Sequence, residues 1–317
     1  MINMRFNGFI FALVLAIIAA YFFPEGSTIL PLETITAIGV GLIFFFYGLK
    51  LSPSEFRSGI SNYKLHLLVQ LATFLIFPVL VLLFYPFANA GGIYMYWKAF
   101  FFLAVVPSTV SSSVILVALA KGNVPAAIFN ASLSGIIGVA VTPFWLSFFI
   151  GETVSPGFGE ILWKLICQII SPLAAGFLLQ RFFEKWVNKY RKPMQIFDKT
   201  VIVLIVYASF SASFSAKVFS SLTFGYLLLL VLAVLALFLI VYFGIGLLSK
   251  KMGFSRNDQI TAKYCGSQKS LVHGSVMAKI IFGNSPAIGI FLLPLMVYHF
   301  VQILLISWFA EKVGGQR

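Results

Sequence analysis

The sequence predicts an all-α membrane protein with ten transmembrane helices, arranged as a 5+5 inverted repeat with broken crossover helices 4 and 9. Three observations support this fold class. Of the 317 residues, 60% are hydrophobic and 10% are charged, with a mean hydropathy of +1.01, whereas soluble domains carry about a quarter charged residues. The apolar residues form ten runs of membrane-spanning length. Two of these runs contain polar interruptions in matching positions.

Each run has about the 20 residues that a helix needs to cross a hydrocarbon core of about 30 Å. The runs cover approximately residues 6–23, 33–50, 66–86, 98–120, 124–150, 161–182, 197–217, 224–248, 257–281 and 286–310. The first run lacks a small-residue cleavage site before Tyr21, so we expect a retained helix rather than a signal peptide. Cys167 and Cys265 lie within predicted spans and suggest neither a disulfide framework nor a metal site.

The formal net charge of +13 reflects 22 basic and 9 acidic residues. With the N-terminus inside the cell, the inner loops hold sixteen of the basic residues, and the outer loops keep only Lys98, Lys164 and Lys217. This positive-inside pattern predicts that both termini are cytoplasmic. Topology and contact with anionic lipids account for the charge, so we expect no nucleic-acid partner. The short chain and the charge bias favour a bacterial inner membrane.

Three further lysines lie inside the ninth run, at positions 263, 269 and 279. Lys263 and Lys279 lie roughly 9 Å and 15 Å along the axis from Lys269, at 1.5 Å per residue, and can reach toward an interface. Lys269 lies near the middle of the span, where a lysine costs about 2.5–3.5 kcal/mol on insertion scales, so it should face protein or water. It either joins two helices by hydrogen bonds or marks a transport pathway.

An internal repeat relates the two halves of the chain. Gly122–Ala126 (GNVPA) separates the fourth and fifth runs, and Gly283–Ala287 (GNSPA) separates the ninth and tenth, at an offset of 161 residues. The interruption PSTVSSS begins at Pro107 and the interruption GSQKS at Gly266. Because each half holds five helices, an odd number, the second half would be inverted. Interrupted helices in corresponding positions of inverted repeats indicate the binding site of a secondary transporter.

The composition of the interruptions suits such a site. Pro107 removes a backbone donor and breaks its helix, and Gly266 tolerates unwound backbone in the other half. Freed backbone groups are acceptable only where they line a cavity or are buried in protein. Helix N-termini there favour an anionic substrate, and carbonyls can coordinate a cation. The serines could instead serve close helix packing.

At this point the sequence resembles the bile-acid:sodium symporter superfamily, through PSTVSSS…AKGN, CGSQKS and GLIFFFYGLKLSP (Gly41 to Pro53). It is most similar to the bacterial branch of bile-acid-symporter-like transporters related to the seventh member of human solute carrier family 10. The resemblance covers essentially the whole chain. It implies a panel domain (about 1–60 and 160–220), a core domain (about 61–159 and 221–317), and alternating access through motion of the core.

The resemblance also implies site residues. In the fourth span, Pro107 matches the family motif, Ser112 holds its serine position, and Ser113 replaces an ion-binding asparagine. In the ninth span, Gly266 and Gln268 match. Tyr264 replaces a glutamate that contributes to both sodium sites of well-known members, and Lys269 replaces an asparagine. Sodium at Ser112, Ser113 and Gln268 is therefore one alternative for the coupling ion. No other cofactor is expected.

All nine acidic residues lie in predicted loops or near helix ends, so no carboxylate is expected at the midplane. The Lys269 ammonium could act as a fixed cation that bridges carbonyls and serine hydroxyls, or it could carry a proton. Either role favours an anionic substrate, and the resemblance implies a small organic one. The candidate residues are Pro107, Ser108, Thr109, Ser111, Ser112, Ser113, Asn130, Tyr264, Gly266, Ser267, Gln268, Lys269, Ser270 and His273, with Gln70 and Thr73 as additional candidates.

The same residues leave other functions open beside coupled transport. His273 could shuttle protons or be a buried structural histidine. An enzyme is not expected, because the sequence contains no HExxH motif, no paired aspartates and no carboxylate expected near the middle of the membrane. An uncoupled or proton-coupled facilitator, or a ligand-binding regulator of ion or envelope homeostasis, would use the same cavity as a symporter.

Overall fold

The computed structural model describes residues 8–26, 31–51, 62–90, 93–109, 111–149, 158–221, 223–283 and 285–314, and within them every regular element is helical. The helices are α1 (Gly8–Phe22), α2 (Leu32–Lys50), α3 (Tyr63–Leu71), α4 (Phe77–Leu82), α5 (Tyr85–Ala90), α6 (Tyr94–Val105), α7 (Ser111–Leu119), α8 (Val124–Phe149), α9 (Phe158–Leu165), α10 (Ser171–Lys189), α11 (Arg191–Ser215), α12 (Phe224–Lys251), α13 (Arg256–Gly266), α14 (Leu271–Phe282) and α15 (Ile288–Gly314). Short π segments, Ala72–Ile76 and Ile166–Ile170, join α3 to α4 and α9 to α10, and Val218–Ser221 is a 3₁₀ turn.

Among the described residues, seven helices are long and apolar enough to cross a membrane. They are Leu32–Lys50, Tyr63–Leu82, Val124–Phe149, Gly159–Lys189, Arg191–Ser215, Phe224–Lys251 and Ile288–Val313. Two shorter apolar helices, Phe11–Phe22 and Tyr94–Val105, accompany them. The chain is therefore an all-α, multi-pass membrane protein.

The predicted runs that do not yield a long helix are the first, the fourth and the ninth. The first corresponds to the short helix α1. The fourth is divided into α6 and α7, which end at Val105 and begin at Ser111, and the ninth into α13 and α14, which end at Gly266 and begin at Leu271. Both interruptions fall on the polar sequences that predicted them.

Two of the predicted spans, 161–182 and 197–217, are shorter than the helices that the structure shows there. We expected residues 183–196 to form a loop, but α10 continues to Lys189 and α11 begins at Arg191, so only Tyr190 separates them. The basic residues of this region therefore lie on helical extensions. Apolar periodicity ends where a helix leaves the hydrocarbon core, whereas the helix itself can continue, so hydropathy alone places the helix end too early.

Both π segments precede a proline by the same spacing. The Phe77 N–H bonds to the carbonyl of Ala72 and the Ser171 N–H to that of Ile166, each five residues earlier, and Pro78 or Pro172 follows immediately. A proline ring clashes with the carbonyl four residues before it, and a widened turn relieves that clash. These turns therefore release carbonyls from the helical ladder.

The chain divides into two compact units. Unit 1 comprises Met1–Lys50, Trp163–Ser221 and Ser275–Leu292. Its helices α2 and α10 pack through glycine: a Cβ at Gly48 would lie 2.1 Å from the carbonyl oxygen of Leu173, and one at Gly176 would lie 2.1 Å from that of Phe45. Such a close approach of two backbones needs residues without side chains.

The same unit holds a partly buried ion pair. Lys50 Nζ, at the C-terminal end of α2, lies 3.2 Å from Asp198 Oδ2 on α11. Leu49, Val187 and Met194 form a buried cluster in this unit. Lysine also suits the negative end of the α2 dipole.

Unit 2 comprises Leu51–Leu162, Leu222–Gly274 and Leu293–Arg317. Asp258, in the first turn of α13, accepts hydrogen bonds from the side chains of Asn62, Asn123 and Ser255 at 2.8–3.0 Å. The backbone N–H of Asn123 donates to Thr261 Oγ1 at 2.8 Å. This polar group therefore ties the start of α13 to the start of α3 and to the α7–α8 connection, which fixes the approach of α13 to its interruption.

Candidate functional site

The two helix interruptions bond directly to each other within unit 2. The Ser270 N–H donates to the carbonyl of Pro107 at 2.9 Å, and Ser108 Oγ donates to the carbonyl of Cys265 at 2.8 Å. The chain turns extended at Val106, which caps α6 with ψ 151°. Pro107 has no N–H and blocks a further helical turn, so the backbone groups around it are not used in a helix and can bond to the other interruption. We call this region the crossing.

The Lys269 ammonium lies at the crossing and is completely buried. It donates to the carbonyls of Thr73, Ala104 and Val106 at 2.8, 2.6 and 2.9 Å. The ring of Phe77 lies 4.2 Å from the nitrogen. The acceptors are backbone carbonyls, so the expectation that Lys269 would also bridge serine hydroxyls is wrong.

The three carbonyls are available because the helices are disrupted next to them, at Pro78 and at Pro107. The Phe77 N–H bonds to Ala72 and Pro78 has no N–H, which leaves the carbonyls of Thr73 and Phe74 without a helical partner. Trp145 Nε1 donates to Phe74 at 2.9 Å, and the ammonium donates to Thr73. At the other interruption the helix ends before Pro107, so the carbonyl of Ala104 is likewise free.

Neighbouring hydroxyl groups pair with further backbone groups of the interruptions. Thr142 Oγ1 donates to the carbonyl of Val105 at 2.8 Å, and the Ser108 N–H donates to Ser134 Oγ at 2.9 Å. Tyr298 Oη donates to the carbonyl of Ser267 at 2.7 Å. Unpaired backbone groups cost several kcal/mol each in a membrane, so these side chains are what make the broken helices stable.

Gln302 on α15 holds the backbone of Lys269 through two hydrogen bonds. Its Oε1 accepts from the Lys269 N–H at 2.7 Å, and its Nε2 donates to the Lys269 carbonyl at 2.8 Å. The same Nε2 lies 2.9 Å from His299 Nδ1, which must therefore be an acceptor. Sequence reasoning did not single out Gln302, although a glutamine inside an apolar helix was a signal that could have identified it.

The predicted serine cluster and Gln268 come together. Ser112 Oγ and Ser113 Oγ both donate to Gln268 Oε1, at 3.0 and 3.2 Å, and Ser112 Oγ also lies 3.1 Å from Thr109 Oγ1. Ser113, Thr109 and Gln268 are buried. Within the described residues, Gln268 Nε2 has no hydrogen-bond partner. The side chain of Ser111, a further candidate, lies outside what the structure describes.

Gln70 and Asn130 form a second pair. Gln70 Nε2 donates to the backbone carbonyl of Asn130 at 3.2 Å and to its Oδ1 at 3.3 Å. Thr73 enters the site through its carbonyl, because its hydroxyl donates to Val69 in the same helix at 2.9 Å. In the described chain, neither Gln70 nor Asn130 is hydrogen-bonded to Gln268.

Three candidates at the second interruption have local roles. Ser267 Oγ donates to the carbonyl of Lys263 at 2.6 Å. The His273 N–H donates to Ser270 Oγ, and His273 Nδ1 lies 3.0 Å from that oxygen, which caps the start of α14. The buried His273 ring packs against Gly135, where a Cβ would lie 2.9 Å from Nε2.

Tyr264 and Gly266 face the packing side of α13. The Tyr264 ring lies beside that of Tyr242, with centroids 6.1 Å apart. A Cβ at Gly266 would lie 2.8 Å from Ile245 Cδ1. The ammonium of Lys269 takes backbone carbonyls of other helices instead of these two residues.

The electrostatics of the crossing are dominated by one positive charge. In the described part of the chain, no carboxylate lies within ion-pair distance of Lys269, and no group of three or more His, Cys, Asp and Glu side chains forms a metal site. Carbonyl dipoles and an aromatic face therefore stabilise the ammonium.

Comparison with known proteins identifies the family of this chain. The model of the SBF-like CPA transporter family matches residues 7–314. The chain belongs to this family. Its members are carriers rather than enzymes, so this SBF-like chain is a membrane transporter of the bile acid:sodium symporter type, and the resemblance seen in the sequence is confirmed.

Relatives of the SBF-like chain cover it almost completely. A Pseudomonas aeruginosa protein named PA2026 is 34% identical over 98% of this chain and 94% of its own length. The Escherichia coli protein named "Putative symporter YfeH" is 32% identical over 97% of this chain and 93% of its own length. Sodium/bile acid cotransporter 7-B of Xenopus laevis is 32% identical over 96% and 90%.

Proposed function

We propose that this protein is a secondary transporter that moves a small organic anion across the membrane by alternating access. The observation that carries the proposal is the buried Lys269 ammonium, which lies at the crossing of two broken helices without a carboxylate partner among the described residues. A fixed positive charge in a low-dielectric region attracts an anion strongly. Intramembrane charges usually mark transport pathways.

The helix ends at the crossing support the choice of an anion. α7 and α14 both begin there, at Ser111 and Leu271. The N-terminal ends of helices carry partial positive charge and unpaired N–H groups, which bind carboxylates and other anions. Hydroxyl groups of Ser112 and Thr109 lie beside these ends and can fix the orientation of a bound anion.

The proposed topology has ten spans in two inverted repeats, with both termini in the cytoplasm of a bacterium and the chain in its inner membrane. The paired interruptions at Pro107 and Gly266 support the repeat, because each lies in the fourth of the five apolar runs predicted for its half of the sequence. We further propose that the panel and core segments move relative to each other during transport. The positive-inside charge pattern supports the orientation.

Two modes of transport are candidates. Sodium bound near Ser112, Ser113 and Gln268 would give a symporter, in keeping with the names of relatives. The hydrogen bonds favour the second candidate, an uncoupled or proton-coupled facilitator. Both serine hydroxyls donate to Gln268 Oε1, and the Lys269 ammonium already takes the carbonyls that a cation would need.

The test is counterflow in proteoliposomes loaded with an unlabelled anion. The probes are labelled taurocholate and a set of smaller carboxylates, each measured in sodium, potassium and choline buffers of equal ionic strength. We expect transient accumulation of at least one anion. Sodium-dependent accumulation identifies a symporter, and accumulation in choline identifies a facilitator.

A negative result would be equally clear. If no anion exchanges across the membrane but one raises the melting temperature of the purified protein, the protein is a ligand-binding regulator. If none exchanges and none stabilises the protein, the proposal of an anion carrier is wrong. Liposomes without protein provide the background.

A further inference from the structure

The Lys269 ammonium has a complete set of acceptors. Its three N–H groups have three carbonyl acceptors, those of Thr73, Ala104 and Val106, at 2.6–2.9 Å. These are the distances of charge-assisted hydrogen bonds. The face of Phe77 covers the nitrogen at 4.2 Å. The ammonium is therefore coordinated as a bound ion would be.

The coordinating groups carry no formal charge. Two carbonyls belong to the end of α6, where the helix dipole is negative. The third comes from the π segment, and the ring contributes its negative face. Rings of backbone carbonyls of this kind replace the hydration shell of monovalent cations. The same atoms would suit another monovalent cation of similar size, such as ammonium or potassium.

The backbone, not the lysine, creates this cage of carbonyls. Pro78 and the π segment free the carbonyl of Thr73, and Pro107 ends α6 before the carbonyls of Ala104 and Val106 find helical donors. Both features persist if the side chain at position 269 is shortened. Removing it would leave three buried acceptors around a space shaped for a cation.

We propose that Lys269 is a covalently tethered cation, whose ammonium permanently occupies a monovalent-cation site at the crossing. The carrier then needs no free alkali cation there, and Lys269→Ala turns the cage into a site for ammonium, alkylammonium or potassium ions. This inference deepens the proposed function, and it rests on that function for the role of the crossing in transport.

Chemical rescue of the full-length protein in detergent tests the proposal. Lys269→Ala removes the equivalent of n-propylammonium, so that ion replaces the deleted atoms. We expect n-propylammonium, methylammonium and potassium chlorides to raise the melting temperature of this variant with the logarithm of their concentration, relative to choline chloride of equal ionic strength. Choline is the reference because its nitrogen has no N–H and is too large. At cation concentrations well above the dissociation constant, each tenfold rise in concentration should add about 2–4 °C.

Wild type and two variants serve as controls. Wild type should melt at the same temperature in sodium, potassium and choline. Lys263→Ala removes a half-buried lysine that lies over the Tyr242 ring and has no ion pair within the described residues, so it should show no rescue. Lys269→Met fills the same volume without donors, so it should melt below wild type and ignore added cations.

Three results would overturn the proposal. The first is sodium-specific stabilisation of wild type, and the second is a Lys269→Ala variant that responds to no cation. If that variant cannot be purified, Lys269→Met decides: melting as high as wild type would show that the ammonium contributes nothing. These readouts need no substrate, so a failure of anion counterflow alone would count against the proposed function and not against the tethered cation.

Discussion

Lys269 shows how a single residue can place a charge in the membrane without an acid. A lysine at mid-helix costs about 2.5–3.5 kcal/mol on insertion scales. Here the ammonium replaces its lost water with the carbonyls of Thr73, Ala104 and Val106. Those carbonyls would otherwise be unpaired, so each hydrogen bond supplies a partner both for an N–H of the ammonium and for a backbone carbonyl.

Gln302 should be essential for this arrangement. Gln302→Leu leaves the Lys269 N–H and C=O without their partners, at 2.7 and 2.8 Å in the wild type. Each unpaired buried group costs about 1–3 kcal/mol, so we expect a loss of about 2–5 kcal/mol in the free energy of unfolding. Titration with sodium dodecyl sulfate in mixed micelles measures it.

A matched control is Gln259→Leu, which removes one hydrogen bond to Phe254 in a partly exposed part of α13. It should cost about 0.5–1.5 kcal/mol. Equal effects of the two substitutions would mean that the two hydrogen bonds from Gln302 to the Lys269 backbone stabilise the protein no more than an ordinary surface hydrogen bond.

The sequence predicted some of these residues and missed others for physical reasons. Lys269 could be found because a charge in an apolar run is visible without any structure. Thr73 was expected near the site, yet its role comes from its carbonyl, which every residue possesses. Pro78 acts by freeing that carbonyl for a donor 196 residues further along the chain, and Gln302 supports the backbone of a residue on another helix segment. Residue type alone does not reveal such partners.

The helix pair α2–α10 makes a prediction at the element scale. Gly48→Ala would place a methyl group 2.1 Å from the carbonyl oxygen of Leu173 and 2.7 Å from the Phe177 nitrogen, both rigid backbone atoms. The helices must separate, so we expect a loss of about 1–3 kcal/mol in the free energy of unfolding. The same detergent titration measures this loss.

Gly41→Ala on the same helix is the control, because no atom lies within 4 Å of the position that its new Cβ would take. Alanine favours a helix over glycine by about 1 kcal/mol, so this variant should be neutral or slightly more stable. If both variants behaved alike, the close approach of α2 and α10 would not matter for stability.

Helix interruptions were easier to predict than helix ends. Pro107 and the GSQKS sequence are local signals that break a helix wherever they occur. The end of α10 at Lys189 has no such signal, since residues 183–189 are acceptable in a helix outside the membrane as well as in a loop. The π segments were not predicted either, because the wide turn depends on a proline and on a tertiary donor such as Trp145 together.

At the scale of the whole molecule, orientation is the property to test. The positive-inside pattern predicts that a green fluorescent protein fused after Arg317 fluoresces and that alkaline phosphatase fused there is inactive. Alkaline phosphatase inserted in the segment 151–157, predicted to face the outside, should be active. If the fusions showed the opposite activities, the predicted orientation would be wrong, and the basic residues of α10 and α11 would lie outside the cell.

The general architecture followed from composition and run length, because a membrane allows few structures besides apolar helices. Ten runs were predicted, and each has a helical counterpart in the described chain, seven of the helices being long enough to span by themselves. What composition cannot supply is which carbonyl meets which donor, since that depends on how helices distant in sequence approach one another.

The separation between the ammonium and its acceptors also has a consequence for biosynthesis. Thr73 precedes Lys269 by 196 residues, and Ala104 precedes it by 165. At a synthesis rate of about 5–20 residues per second, the ribosome needs roughly 10–40 s to reach the lysine after Thr73. During that interval the nascent chain holds its exposed carbonyls without the charge that will cover them. The carbonyls of Thr73 and Ala104 therefore lack their ammonium donor until the segment that carries Lys269 has been synthesised.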